Sequence, residues 1–261
     1  MLRPAACVLA ASVALLAAPH GGAAAPCARA PAGWRAHVVE AREWAKDRRG
    51  TVSFAVRTTQ RLYGWRTRRT VPTASVLKAM LLAAYLDRRS VRARSLQAAD
   101  TRLLDPMVRR SDDVAATRVR DIVGASALYR LAHRVGMRHF RVHRVWGLSR
   151  TDAADQTRFF LHLERYVTPR HRATALRLLH TVVASQRWGI GRVRLPGWRT
   201  YFKGGWGAGT GRVDHQVALL RGCGDTRVAI AVMTTDQGTH AYGKRTLEGV
   251  FRRLLRGLLA Q

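Results

Sequence analysis

Val71-Pro72-Thr73-Ala74-Ser75-Val76-Leu77-Lys78 leads into the apolar, alanine-rich run Ala79 to Leu86. The run predicts a helix over Ser75 to Leu86, with Pro72 outside its start. Positions i and i+3 share a helix face, so the Ser75 hydroxyl and the Lys78 amine can meet at the positive N-terminal end. Serine alone is a weak nucleophile, and a lysine whose charge is suppressed by burial or a neighbouring cation can take its proton. The S-x-x-K spacing alone also arises by chance, as an ordinary helix start, so its weight depends on the rest of the chain.

On the N-terminal side, Thr51 to Val56 and Arg61 to Trp65 are short β-favouring runs around polar turn residues, which predicts a hairpin. On the C-terminal side, helical spacing is found over Val114 to Val123, Ser126 to Val135, Asp155 to Tyr166 and Pro169 to Ser185. Trp198 to Lys203, Val213 to Leu220 and Val228 to Thr235 then read as strands separated by glycine-rich turns, and Gly243 to Leu259 closes the chain as an amphipathic helix. Strands from both ends around a helical insertion give an α+β fold, with an antiparallel sheet built from both chain ends, flanking helices and an all-helical lobe. Residues 30–70 and 186–261 are assigned to the sheet-bearing lobe and residues 71–185 to the helical lobe, with the cleft between them the natural place for a site.

Two further stretches bear on the Ser75-Lys78 pair. Ser111-Asp112-Asp113 lies between helical segments, where a hydroxyl can relay a proton and the acids can orient lysines or cap a helix. Lys203-Gly204-Gly205 ends a predicted strand, where glycines let a substrate backbone approach and the lysine can hold an anion; a plain strand-end turn has the same appearance. Lysine usage adds an independent signal. Of 46 basic residues only Lys46, Lys78, Lys203 and Lys244 are lysine, and the rest are arginine. Arginine cannot be deprotonated in a protein, so a proton-shuttling position excludes it.

In order and spacing the three stretches resemble the S-x-x-K, S-D-N and K-T-G motifs of the serine β-lactamase and penicillin-binding protein superfamily, closest to class A β-lactamases. The resemblance extends over nearly the whole chain after its first segment. It implies that Ser75 is acylated, that Lys78 is its base partner and that Ser111 passes a proton to the leaving nitrogen. Lys203 would assist Ser111 and bind a substrate carboxylate, the N–H groups of Ser75 and Trp206 would form the oxyanion hole, and Asp113, Gly204 and Gly205 would line the substrate site. The substrate implied is a small β-lactam or a related, peptidoglycan-like amide. The alternatives are a penicillin-binding-like peptidase or esterase with slow deacylation, and a catalytically silent wall-binding protein. Gly204 stands where the family has Thr, and Asp113 where it has Asn. The E-x-x-L-N loop that supplies the class A deacylating glutamate has no counterpart between Gly136 and Asp155. Glu164 reads as a solvated helix residue and Asp152 and Asp155 as caps.

Composition bounds the setting. The 261 residues are 47% hydrophobic and 24% charged, which excludes bulk disorder, and the formal charge is +30. Such a charge points to anionic surroundings. Met1 to Arg3, the apolar run Ala5 to Ala18 and the small residues Gly21 to Ala25 read as a signal peptide over residues 1–25, so the expected location is secreted or in the cell envelope. Export and the lack of a recognition motif argue against nucleic acid. No other stretch is apolar enough to span a bilayer, and a monomer that adheres to anionic wall polymer through its arginine clusters is expected. Removal of the signal would leave Cys27 and Cys223, for which a disulfide is permitted in an oxidising compartment. The ten histidines contain no HExxH pair. His139 and His143 lie four apart without a third ligand, and neither a metal nor another cofactor is expected. Trp188 and Trp198 read as core, Trp206 as a cleft residue and His215 as a satisfied sheet residue.

Overall fold

Ala41 and Ala45, four residues apart, give α1 (Val38–Lys46) its buried face ahead of the first strand. Two alanines are a weak apolar signal, and this helix is not foreseen by the spacing reading. The computed structural model describes residues 27–259. The signal peptide expected over residues 1–25 lies outside them.

β1 (Thr51–Arg57) and β2 (Leu62–Trp65) form the expected hairpin, with Phe54 opposite Trp65. β3 (Val71–Pro72) leads through a single 3-10 turn, Ala74–Val76, into α2 (Leu77–Leu86). All ten residues of α2 are buried. A helix apolar all round belongs in an interior, and burying each large side chain contributes about 1.5–3 kcal/mol. The same burial carries Lys78, on its first turn, out of water.

α3 (Arg89–Arg92) and α4 (Ala98–Asp105) follow, and α4 runs into a wider π turn, Pro106–Arg110. α5 (Asp113–Val135) covers both helices expected over Val114 to Val135; the break between them survives as a kink at Gly124, with φ 74° and ψ 161°. β4 (Arg150–Thr151) pairs with β3. α6 (Ala153–Leu161) ends earlier than the expected Tyr166, in a 3-10 turn over Leu163–Tyr166. Glu164 in that turn is drawn onto Arg221 at 2.9 Å and Arg227 at 3.6 Å, so it is an ion-paired residue and not a solvated helical one. α7 (Arg172–His180) is likewise shorter than the expected 169–185, because the Arg109 Nε–H claims the Thr181 carbonyl and the Val183 N–H turns to the Arg109 carbonyl.

β5 (Arg199–Gly207), β6 (Val213–Arg221) and β7 (Arg227–Thr235) complete a five-stranded antiparallel sheet in the order β2-β1-β7-β6-β5. β5 does not stop at Lys203. It runs through the glycines, with Gly204 opposite Gln216, Gly205 opposite His215 and Trp206 opposite Asp214. α8 (His240–Leu254), capped by the Thr239 hydroxyl accepting from the Tyr242 N–H, begins earlier and ends earlier than the expected 243–259. The fold is α+β.

Side chains alternate across the sheet and both faces are covered. Phe54, Val56, Ile230 and Val232 pack with Leu247 and Phe251 of α8 on one face. Val217, Leu219, Ala231 and Met233 pack with α2 and its neighbours on the other. Lys203 and Gly205 point to this second face, toward α2. Cys27 and Cys223 form a disulfide that ties the first described residue to the β6–β7 turn. Closing a loop of 196 residues is worth about 2–5 kcal/mol by restricting the unfolded chain.

Candidate active site

Ala74 takes φ 43° and Ser111 φ 60°, left-handed values that non-glycine residues seldom adopt. Both serve the same small volume. Ala74 turns the chain so that Ser75, buried, sits in the middle of the 3-10 turn ahead of α2. The Ser75 N–H has no backbone partner among the described residues. Gly205 of β5 lies directly against it: a Cβ there would come within 2.8 Å of both Ser75 N and Val76 N. The close approach explains this glycine.

Ser111 ends the π turn, and its reversed backbone presents both its carbonyl and its hydroxyl to Lys78. The Lys78 ammonium donates to Ser111 O at 2.5 Å, to Ser111 Oγ at 3.3 Å and to Asp113 Oδ1 at 2.5 Å. Lys203 donates to Ser111 Oγ at 2.8 Å and to Gly204 O at 2.7 Å. One hydroxyl thus joins two lysines from opposite sides of the cleft. Asp112 is the helix cap, accepting from the Ala115 N–H at 2.7 Å, while Asp113 reaches into the site. Ser75, Lys78, Ser111, Asp113, Lys203 and Gly205 therefore converge, although Ser75 and Lys203 are 128 residues apart in sequence.

The two lysines differ electrically. Lys78 is fully buried, and desolvation lowers its pKa; the hydrogen bond and charge of Asp113, then the charge of Asp112, oppose the fall. The Asp113 side chain is 75% exposed, so water weakens that opposition. Lys203 is lowered further, first by complete burial and next by the positive charge of Lys78. Replacing Asp113 with Asn removes the strongest influence holding the Lys78 proton. The neutral, basic form of Lys78 then exists at lower pH, and in D113N the rising limb of acylation rate against pH should move to lower pH. A limb that stays put or moves up would show that Asp113 does not hold this ammonium.

Gly204 faces the other side of β5, where a Cβ would come within 2.7 Å of Trp188 Cζ2. The indole fills the space a threonine side chain would need. Trp188 and Trp198 are core residues as expected. Trp206 is 51% exposed and stacks on His240 at 4.7 Å, and Asp214, opposite Trp206, binds His240. His215 is locked in one neutral tautomer: its Nδ1 accepts from the Thr234 N–H and its Nε2–H donates to the Pro72 carbonyl, with burial pushing it down to about 4.

Trp146 is a site residue that spacing does not reveal. Its ring lies 4.9 Å from Lys78 Nζ, and its N–H donates to Thr117 Oγ1 at 3.1 Å. It lies between Gly136 and Asp155, the stretch without an E-x-x-L-N loop. Asp152 caps α6, accepting from the Asp155 N–H, and Asp155 accepts from the N–H groups of Arg138 and His139. His139 does not face His143; its Nδ1 meets Asp152 Oδ2 at 2.5 Å, with Asp155 close by.

A serine at a helix start, two buried lysines and a bridging hydroxyl beside a sheet edge define a serine acyl hydrolase. The Beta-lactamase enzyme family matches residues 98–254, more than half of the chain, and the protein belongs to that family. It is a serine β-lactamase-like hydrolase acting on amide carbon–nitrogen bonds. No curated protein sequence matches the chain. Among solved structures, the β-lactamase of Sphaerobacter thermophilus is similar with a TM-score of 0.73 at 19% identity, covering 85% of this chain and 96% of that one. The class A β-lactamase of Mycobacterium abscessus gives 0.69 at 18% identity, over 84% and 98%. An ancestral class A β-lactamase gives 0.69 at 20% identity, also over 84% and 98%.

Proposed function

We propose that this protein is an exported serine hydrolase acylated at Ser75 by a β-lactam or a peptidoglycan-like amide, and that the acyl-enzyme is long-lived. In the acylation step Lys78, in its neutral form, takes the Ser75 proton while Oγ bonds to the carbonyl carbon. The N–H groups of Ser75 and Trp206 hold the oxyanion. On collapse the carbon–nitrogen bond breaks, Ser111 gives its proton to the leaving nitrogen, and Lys78 returns the proton to Ser111. Lys203 holds Ser111 through the hydrogen bond it donates to Oγ, and it carries positive charge only with Lys78 neutral and an acidic substrate bound, since burial and the Lys78 charge otherwise favour its neutral form. Water then hydrolyses the ester to release the acid and regenerate the Ser75 hydroxyl.

The convergence of two lysines on Ser111 carries the acyl-transfer reading, since a structural role alone gives no reason to bury two amines on one hydroxyl. Slow deacylation is supported at Lys78: the aromatic ring of Trp146 and the carboxylate of Asp113 are its neighbours, and Asp113 is engaged by the amine. Export is supported by the Cys27–Cys223 disulfide, a bond of oxidising compartments. Intact mass after exposure to a fluorescent penicillin, with hydrolysis followed in parallel, tests the reading. A persistent adduct with slow release is expected. Rapid turnover without an adduct would overturn slow deacylation, and neither adduct nor turnover would remove β-lactams as acyl donors.

A further inference from the structure

One cavity lies away from Ser75. It lies between the end of α2, α3 and the second half of α5, encloses about 890 Å³, and has Ala84, Val123 and Ala127 on its floor. Its rim is Arg88, Arg89, Arg92, Arg130, His133 and Arg134. The acid on this rim, Asp87, is bound by Arg134 at 2.9 Å. Arg88, Arg89, Arg92 and Arg130 form no ion pair among the described residues; Arg88 lies over the Tyr85 ring at 5.6 Å. A second cavity, of about 480 Å³, shares Asp87 and Arg92 with the first and adds Arg165 and Arg172. The two make one continuous basic track across the helical side of the molecule.

We infer that this track is a binding site for a linear phosphodiester polymer of the cell envelope, distinct from the acyl-transfer cleft. Guanidinium forks match phosphate oxygens in pairs, and they are weakly hydrated enough to give up water for them. Arginines with no carboxylate to neutralise them concentrate field in a concave wall and attract an extended polyanion. A concave track fits a flexible single chain better than the flat face of a bilayer or the fixed width of a duplex. This choice of partner rests on the proposed export, which the disulfide supports and under which the protein does not meet nucleic acid.

The test separates a built site from diffuse charge. Binding of long-chain inorganic polyphosphate is measured by fluorescence anisotropy across salt concentrations for three full-length proteins: wild type, Arg88→Gln/Arg92→Gln/Arg130→Gln, and Arg68→Gln/Arg194→Gln/Arg199→Gln. Both triple variants lose the same charge, from positions that are exposed apart from the half-buried Arg88, and none of them belongs to the core. The track variant should bind at least about tenfold more weakly, with its log–log salt slope reduced by about 2, as expected for three lost phosphate contacts on a single chain. The control should change about twofold or less, through long-range screening alone. Equal losses in the two variants, or no binding by wild type, would overturn the proposal. Anionic vesicles or duplex DNA that bind more tightly than polyphosphate and lose more affinity in the track variant would reassign the site to a membrane or a duplex. Penicillin labelling at Ser75, followed on the same samples, reports the acyl-transfer reading separately, so either can fail without the other.

Discussion

Replacing Ser75 with Ala should abolish the penicillin adduct and lower any amide or ester hydrolysis by about 10³-fold or more, as loss of a covalent nucleophile does elsewhere. The change removes one oxygen from a buried site and leaves α2, the sheet and the lysine network as they are. Thermal unfolding of S75A should therefore match wild type within a degree or two. An adduct of undiminished mass and yield on S75A would place the nucleophile on another residue, and tandem mass spectrometry of the labelled peptide would identify it. A folded, silent S75A beside a labelled wild type is the expected pair of results.

Lys78→Met should have the second-largest effect, a fall of about 10²–10⁴-fold in acylation rate, the usual range for a lost general base. Methionine matches the length of the lysine stem and tolerates the apolar surroundings of α2. Asp113, mostly exposed, can turn to water, and Ser111 Oγ keeps its bond from Lys203. The fold should survive while the proton acceptor is gone. Lys78→Arg separates charge from basicity, because guanidinium keeps the charge and cannot act as a base. It should be about as slow as the methionine variant. If K78R acylates within about tenfold of wild type, Lys78 acts by its charge and the proton of Ser75 leaves by another route.

The residues that converge on Ser111 were legible because each has a local sequence signature. A serine and lysine three apart sit on one helix face, a Ser-Asp-Asp run opens a helix, and a lysine precedes glycines on a strand. The scarcity of lysine in an arginine-rich chain marked Lys78 and Lys203. Their mutual distance was not legible, since nothing local places α2 against β5. The glycines after Lys203 read as a turn, yet they continue β5, because glycine there answers to neighbours on the two faces of the strand: Ser75 for Gly205 and Trp188 for Gly204. Trp146, His240 and Asp214 escaped notice for the same reason. A ring against an ammonium, or a histidine stacked on a tryptophan, is a contact between distant segments with no period. α1 and α4 were missed because short helices with one or two buried residues per face leave little apolar pattern.

The packing of Trp188 against Gly204 also constrains how this site can change by mutation. A threonine introduced at 204 meets the indole before it meets any substrate, so the reversion toward the family motif is harmful while Trp188 remains. Shrinking Trp188 first opens a cavity in the layer beneath β5, next to His240, and is harmful while Gly204 remains. The two positions should show reciprocal sign epistasis: each single step is downhill, and only the paired change can restore the packing. The departure from K-T-G is thus a locked pair, held in place by its own packing partner.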